Sequence, residues 1–316
     1  ISIVVNVFEC IQTMRVDVID RFLPFSSNVS CYTFRLGVSD HIDILFLGLE
    51  NGKICSISIP CGQLPHNIRP VDATKDGCNQ HTAEVRCLLF TNNNDFLPPQ
   101  SNGLLFSGSF DRSIKIWNVS AAGNQIVHIQ TLQGHCSTVN NVIDGTDGSI
   151  ISCSEDGSLR MWCPQHGRNM MQYPYFECTF SLFGREAWIT ALAVGILGPW
   201  ICYAADSSGC IEVLKKSTDG ATDAERHLNA FSKQLTRCAK WEKVHALGIT
   251  HLELVREENV LVSISYDTSC KVLDPSTGQV LYQIMNKRRC VFTGATWVNH
   301  LTSFYLIDEF GYLDIL

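Results

Sequence analysis

A recurring two-strand pattern constrains this sequence more than any other feature. Each copy has an alternating apolar run, a tight turn rich in Asp, Asn, Ser or Gly, and a second alternating run, which is typical of a β-hairpin. The clearest copies are LLFSGSFDRSIKIWNV (104–119), SIISCSEDGSLRMWCP (149–164) and VLVSISYDTSCKVLDP (260–275). Weaker copies cover residues 43–58, 200–215 and 303–316. The pattern predicts a chain built by repetition of one small β unit.

The spacing of the copies indicates the size of that unit. The turn positions are Asn51, Asp111, Asp156, Ser208, Asp267 and Phe310, separated by 60, 45, 52, 59 and 43 residues. A further apolar strand precedes each hairpin, and a fourth follows most of them, as in IVHIQTL, ECTFSLF and QVLYQIM. The longer separations contain loop-like insertions at 60–80 and 216–230. Because one four-stranded sheet cannot bury both of its faces, we expect such sheets to stack radially.

Polar residues recur at fixed places in the three clearest copies. The sets are His81, Ser107, Asp111 and Trp117; His135, Ser152, Asp156 and Trp162; and His245, Ser263 and Asp267, with Leu273 in place of Trp. These copies resemble WD repeats, in which such a His, Ser, Asp and Trp form one hydrogen-bonded set. The resemblance implies an all-β fold, a β-propeller of four-stranded antiparallel blades, and a structural role for the sets.

The number of blades depends on how the ends of the sequence are interpreted. The favoured interpretation is a single propeller of seven blades, the first of them incomplete, and the alternative has six, with residues near 1–14 completing the last one. The predicted boundaries are a partial blade over 1–28, followed by repeats over 29–80, 81–134, 135–184, 185–246, 247–288 and 289–316.

Composition narrows the class of function. The net charge is −7, from 31 acidic and 24 basic residues, so the basic surface that nucleic-acid binding requires is not expected. No apolar stretch approaches the length of about 20 residues that spans a bilayer. The cysteine count, 15, is odd, and many cysteines lie within apolar strands. We therefore expect reduced thiols and a cytoplasmic location.

Chemical motifs are also missing from the sequence. It contains no G-x-S-x-G, no GxxxxGK[ST], no HExxH and no CxxC. We therefore expect no catalytic residue, no metal site, no cofactor and no small-molecule substrate. The resemblance implies a non-enzymatic scaffold or adaptor that binds other proteins. A structural part of a cytoskeletal or ciliary assembly is the alternative, and a propeller enzyme is a remote one.

Residues at the mouth of the hairpins are candidates for partner binding. In a propeller, the turn between the second and third strands opens on the same rim as the start of the first strand. The alignment of the repeats places Phe110, Trp188 and Tyr266 on this rim, although no structural role requires aromatic residues there. Glu84 and Glu155 lie at neighbouring rim positions, where they would favour a Lys or Arg of the partner. The predicted site is therefore an aromatic anchor for peptide segments of partner proteins.

Overall fold

The computed structural model of the chain describes residues 27–35, 42–60, 71–72, 79–92, 102–120, 125–145, 148–165, 174–184, 186–195, 200–216, 235–298 and 303–315. Throughout these residues the chain forms antiparallel strands joined by turns and loops, and it has no helix. The all-β prediction is confirmed. The chain divides into an N-terminal unit, which holds sheets A and B and strands β9 and β10, and a C-terminal unit, which holds sheets D, E and F. Sheet C has residues in both units.

Three four-stranded sheets come first in the chain, and each has its strands in sequence order. Sheet A contains β1 (Val29–Arg35), β2 (Ile42–Leu49), β3 (Ile54–Pro60) and β4 (Val71–Asp72). Sheet B contains β5 (Val85–Thr91), β6 (Leu104–Ser109), β7 (Ile114–Val119) and β8 (Ile126–Leu132). Sheet C contains β9 (Val139–Asp144), β10 (Ile150–Ser154), β11 (Leu159–Gln165) and β12 (Tyr175–Leu182).

Three further sheets follow with the same order of strands. Sheet D contains β13 (Ile189–Gly195), β14 (Ile201–Asp206), β15 (Ile211–Lys216) and β16 (Leu235–Trp241). Sheet E contains β17 (Ile249–Val255), β18 (Val260–Ser265), β19 (Ser269–Leu273) and β20 (Val280–Met285). Sheet F contains β21 (Phe292–Val298), β22 (Ser303–Asp308) and β23 (Leu313–Ile315).

The sheet count matches the alternative of six blades rather than the favoured seven. The described residues form five four-stranded sheets and one three-stranded sheet. The incomplete seventh blade was predicted over 1–28, and all of that range except Ser27 and Asn28 lies outside the described residues. The residues near 1–14 and the insertion at 216–230, apart from Lys216, also lie outside them. The repeat boundaries remain predictions.

A β-bulge near the start of the first strand recurs in all six sheets. The backbone geometry therefore repeats more regularly than the amino-acid sequence does. The register between first and second strands shifts between Val85 and Cys87 in sheet B, and at the matching place in every other sheet. In sheets A, D, E and F the bulged residue is Ser or Thr, and its hydroxyl donates to a carbonyl of the second strand. Such bulges bend a strand and change the direction of the side chains beside it, here at the rim.

Within the N-terminal unit, first strands of consecutive sheets pack side by side. The thiol of Cys31 on β1 donates to the Val85 carbonyl of β5 at 3.2 Å, and the thiol of Cys87 lies 3.9 Å from the Val139 carbonyl of β9. Burial raises the pKa of Cys87 to about 12, so this cysteine stays a neutral thiol and packs as a small apolar residue. Two of the strand cysteines, Cys31 and Cys87, therefore lie at contacts between consecutive sheets.

The C-terminal unit repeats this arrangement. Strands β13, β17 and β21 lie next to one another, and Thr190 donates to the Ile249 carbonyl of the following sheet. Tyr203 packs against Trp241 with ring centroids 5.7 Å apart, and its hydroxyl donates to the Pro275 carbonyl at 2.7 Å. The rings of Tyr203 and Trp241 thus pack in an apolar cluster formed by residues of sheets D and E, while the Tyr203 hydroxyl keeps a hydrogen-bond partner.

Candidate functional site

The predicted polar set of sheet B forms one connected group. The Nδ1 atom of His81 lies 2.8 Å from Oδ2 of Asp111, and its Nε2 atom lies 2.8 Å from Oγ of Ser107. The indole N–H of Trp117 donates to the same Ser107 oxygen at 2.8 Å. Asp111 also accepts from the backbone N–H groups of Thr82 and Ser113, at 3.1 and 3.0 Å. The carboxylate therefore fixes both its own turn and the segment that leads into the first strand.

The other two sets are similar, although His135 Nδ1 lies farther from Asp156 Oδ2, at 3.5 Å, and the set of sheet E has Leu273 in place of Trp. In sheet C, Ser152 lies 2.7 Å from Nε2 of His135 and accepts from Trp162 at 2.9 Å, while Asp156 accepts from the N–H of Cys136 at 2.7 Å. In sheet E, His245 lies 3.0 Å from Asp267 Oδ2 and 2.8 Å from Ser263 Oγ. Asp267 also accepts from the Ala246 and Ser269 N–H groups.

The burial and the electrostatics of these sets are those of groups that stabilise the fold. Burial opposes ionisation of Asp111, but hydrogen bonds from His81 and Ser113 outweigh it and hold the pKa of this carboxyl well below its ordinary value. In sheet E, burial lowers the pKa of His245 although Asp267 opposes the change, so the imidazole is neutral at pH 7. The Ser107 side chain is 0% exposed and already bonded to His81 and Trp117. A substrate cannot reach this hydroxyl, so the set cannot act as a nucleophilic triad.

The predicted rim residues form backbone-bonded pairs at the mouths of the hairpins. The N–H of Phe110 donates to the Glu84 carbonyl at 2.9 Å, and that of Glu155 donates to the Thr138 carbonyl at 3.0 Å. Ser207 pairs with Trp188 at 2.9 Å, and Tyr266 pairs with Gly248 at 3.0 Å. Sheets A and F have the same bond, from Glu50 to Asn28 and from Glu309 to Val291. The position just before the turn thus lies beside the start of the first strand in all six sheets.

The N-terminal unit has one of the predicted aromatic anchors and both predicted acidic residues. Phe110 is 58% exposed, and its backbone is held while its ring is not. Glu84 is not an isolated charge, because its carboxylate accepts from Arg86 at 3.2 Å. Glu155 accepts from the Ser137 hydroxyl at 3.3 Å and keeps its net charge. Of the two acidic residues, Glu155 is therefore the better placed to attract a basic group.

The C-terminal unit has the other two predicted anchors. Trp188 is 55% exposed and Tyr266 is 58% exposed. Between their backbones lie two small residues: Ser207, whose hydroxyl accepts from the Trp188 N–H at 3.1 Å, and Gly248. A Cβ atom on Gly248 would come within 3.0 Å of the Ser207 carbonyl oxygen, so the two backbones are in close contact. Trp188 and Tyr266 thus lie on consecutive sheets, and the small residues Ser207 and Gly248 separate their backbones.

A comparison with protein families agrees with this geometry. A profile described as "WD domain, G-beta repeat" matches residues 74–118 and 126–163, which contain the two complete His–Ser–Asp–Trp sets. These two stretches of the chain are therefore WD repeats, as the resemblance predicts. The two matched WD repeats are also those in which the sequence retains every member of the set.

Curated relatives match parts of the chain. The small ribosomal subunit protein RACK1 of Neurospora crassa is 30% identical over 139 residues, which cover 44% of this chain and 38% of that protein. The nuclear distribution protein PAC1 of Arthroderma otae is 38% identical over 65 residues, covering 20% of this chain and 13% of that protein. The matched part of the chain thus spans 38% of one relative's length and 13% of the other's. Among solved structures, the computationally designed Ika8 protein covers 92% of this chain and 71% of its own, with a TM-score of 0.56 and 19% identity, a likeness of fold alone.

Sheets D and F, which lie outside the two matched repeats, have a turn carboxylate that was not predicted from the sequence. Ser208 and Phe310 occupy the position of the usual Asp, but Asp206 and Asp308, two residues earlier, accept the turn N–H groups. In sheet F, Arg288 lies four residues before the first strand, where the complete sets have His. Its guanidinium donates to Asp308 at 2.6 Å and to Asp314 at 2.9 Å, and it lies over Tyr312 at 4.6 Å. The motifs AADSSG and LIDEFG carry the signal, since each has Asp three residues before Gly.

The described residues lack the features of two other kinds of site. No group of three or more His, Cys, Asp or Glu side chains in that part of the chain is arranged to hold a metal ion. Nor does that part contain a helix with the length and apolar character needed to cross a membrane.

Proposed function

We propose that this chain is a non-enzymatic interaction scaffold whose rim binds peptide segments of partner proteins. The single observation that carries the proposal is the placement of Phe110, Trp188 and Tyr266. Each is more than half exposed, and none belongs to a hydrogen-bonded set. Exposed aromatic side chains on a rigid backbone are favourable anchors, because little conformational freedom remains to be lost on binding.

The two units would use chemically different anchors. On the N-terminal unit, Phe110 lies on the rim that also holds Glu155, a combination that favours a peptide with an apolar residue near Lys or Arg. On the C-terminal unit, Trp188 and Tyr266 flank the small residues Ser207 and Gly248, a shape that favours an apolar side chain between two rings. The buried state of Ser107 and its counterparts supports a non-catalytic role.

The relatives support the general class of function. The curated relatives are named as a small ribosomal subunit protein and a nuclear distribution protein, and the first of these names places that relative in an assembly. By extension we propose a cytoplasmic location for this chain, with other proteins as its partners. A structural role in a cytoskeletal or ciliary assembly remains the alternative, and it has only the short match to PAC1 in its favour.

The test is selection from a library of displayed peptides followed by measurement of affinity. The 316-residue chain is used as bait, and enriched peptides are titrated by fluorescence polarisation against wild type, Phe110→Ala, Trp188→Ala and Tyr266→Ala. Loss of an anchor at the centre of an interface costs about 2 kcal/mol or more, which corresponds to a loss of affinity of about 30-fold. We expect each peptide to bind more weakly when an anchor of one unit is replaced by alanine, and to bind like wild type when an anchor of the other unit is replaced.

Tyr175→Ala is the matched control. Tyr175 is 58% exposed, like Phe110 and Tyr266, but it lies on the outer strand β12, away from the hairpin mouths. The proposal predicts unchanged peptide affinity for this variant. Peptides that bind wild type and all three rim variants equally well would contradict the rim as the binding site. All variants must first show the wild-type melting temperature.

A further inference from the structure

The outer strand of sheet E has an unusual surface. β20 (VLYQIM) ends its sheet, and it pairs with β19 on one side alone among the described residues. Its side chains are exposed on both faces: Val280 is 40% exposed, Leu281 55%, Tyr282 62% and Met285 52%. An apolar strand at an open sheet edge is a template for pairing with another strand.

Other outer strands have features that oppose such pairing. β16 has the charged residues Arg237 and Lys240, and β12 has Glu177. In β8, only Val127 is a large exposed apolar side chain. Charged side chains at an edge prevent association, since pairing would remove them from water. β20 has no Asp, Glu, Lys or Arg, so this protection is missing at this edge.

Backbone geometry determines which peptide groups of β20 are open. The N–H of Asn286 donates to the Thr268 carbonyl at 2.9 Å, in line with the register that pairs Met285 with Ser269. Hydrogen-bonded and non-bonded pairs alternate along an antiparallel ladder. The N–H and C=O groups of Gln283 and Met285 therefore point away from β19, towards the open edge.

This alternation makes the strand self-complementary. If two copies of β20 pair antiparallel about Gln283, the Gln283 backbones exchange two hydrogen bonds, and the open groups of Met285 face Leu281 of the other copy. Leu281 then lies opposite Met285 and Tyr282 opposite Ile284, each pair occurring twice. Every cross-strand pair next to the central one is apolar, which is the arrangement that stabilises a sheet.

Charges at the two ends of the strand agree with the same register. Asp274 pairs with Gln279, because its N–H donates to the Gln279 carbonyl at 2.9 Å. β20 ends at Met285, and Lys287 lies in the turn just beyond that end, whereas Asp274 and Gln279 lie just before its start. In the antiparallel pair, the Lys287 end of one copy therefore lies beside the Asp274 end of the other. Neither Lys287 nor the nearby Arg289 forms an ion pair among the described residues, whereas Arg288 is already bonded to Asp308. Opposite charges therefore meet at both ends of the paired strands.

We propose that β20 is a self-association surface, on which a second copy of this chain adds its own β20 antiparallel about Gln283. The resulting dimer has two-fold symmetry, so it closes both open edges and does not grow into a fibre. One strand pair is a small interface, and the dimer therefore depends on concentration. This surface is separate from the rim and leaves the rim residues exposed.

Sedimentation velocity over a concentration series tests the proposal with two complementary variants. Leu281→Lys and Met285→Glu each place a charge against an apolar side chain twice per dimer, so each variant alone should dissociate at least about tenfold more readily than wild type. Mixed together, they should associate again. At one end of the mixed dimer, the introduced lysine of one copy lies opposite the introduced glutamate of the other. At the other end, the original Met285 and Leu281 still face each other.

Val127→Lys on the outer strand β8 is the control, and it should dimerise like wild type. A wild type that stays monomeric at every concentration would refute the proposal, as would undiminished self-association of Leu281→Lys or a mixture that does not re-associate. Should a variant lose its fold, wild type alone decides the question. Carbodiimide coupling of mixed ¹⁴N and ¹⁵N copies should join Lys287 of one isotope to Asp274 of the other, and a wild type without this mixed-isotope product contradicts the register.

Discussion

Replacement of Asp111 by alanine tests whether the polar sets stabilise the fold. The carboxylate accepts from His81 Nδ1 at 2.8 Å, from the N–H groups of Thr82 and Ser113 at 3.1 and 3.0 Å, and from the Ser113 hydroxyl at 2.6 Å. The His81 side chain is 0% exposed, and that of Asp111 is 11% exposed. Asp111→Ala therefore leaves the Ser113 N–H without its acceptor, and it leaves Nδ1 of the buried imidazole with only the longer contact to the Ser113 hydroxyl, at 3.3 Å.

The size of the effect follows from those donors. A buried donor without a partner costs about 1–3 kcal/mol, and the Thr82 N–H lies where water can replace the carboxylate. One orphaned donor and one donor left with a longer contact, less the relief of no longer burying a charge, give an expected loss of about 1–3 kcal/mol of unfolding free energy. The measurement is a urea titration at pH 7 followed by tryptophan fluorescence. Asp111→Asn, which keeps an oxygen acceptor, should lose less than Asp111→Ala.

Asn51 provides a matched control in the same unit. It occupies the same turn position in sheet A, is exposed, and accepts one bond, from the Lys53 N–H at 3.1 Å. Asn51→Ala should therefore change the free energy of unfolding by no more than about 0.5 kcal/mol. Equal losses for Asp111→Ala and Asn51→Ala would refute the argument that the set stabilises the blade.

Three further predictions concern acid stability, the divergent set of sheet F and the cysteines. Burial lowers the pKa of His245 in the folded chain, so the unfolded chain binds more protons as the pH falls through the unfolded pKa of about 6.5, and the folded state loses stability. The urea midpoints at pH 7.5 and pH 5.5 should therefore differ more for wild type than for His245→Gln. Equal differences for the two proteins would contradict this prediction. Arg288→Ala should lower the melting temperature more than Lys287→Ala, because it leaves the fully buried Asp308 without its cation; equal melting temperatures would contradict a structural role for this pair. Alkylation under denaturing, non-reducing conditions followed by intact-mass measurement should count 15 thiols, and a recovery of three or fewer would overturn the reduced state.

The sequence was sufficient to predict the strands wherever local pattern and tertiary environment agree. The hairpins of sheets B, C and E follow from alternation around Asp111, Asp156 and Asp267, because a buried sheet face imposes a period of two. β16 (LTRCAKW) was not predicted, since its strand alternates poorly and follows a long insertion. Its pairing with β15 depends on a contact between residues distant in sequence, which no local pattern reveals.

The sets of sheets D and F could not be found by comparing one position with its equivalents. Asp206 and Asp308 lie two residues before the position that Asp111 defines, yet they accept the same kind of turn N–H groups. In sheet F the buried carboxylate pairs with Arg288 instead of His, so both members of the pair differ from the usual set. What both sheets retain is a buried carboxylate that accepts the turn N–H groups, because a tight turn requires partners for these groups.

This substitution separates the role of the turn from that of the rim. In sheet F the buried carboxylate has moved to position 308, and the usual Asp position is occupied by the exposed side chain of Phe310. In sheets B and E, by contrast, Asp111 and Asp267 hold the turn and the aromatic residue lies one place earlier. The backbone bond from the residue before the turn to the start of the first strand is the same in all cases. The fold therefore constrains the backbone of the rim and the buried acceptor but leaves the exposed side chains open to selection by a partner.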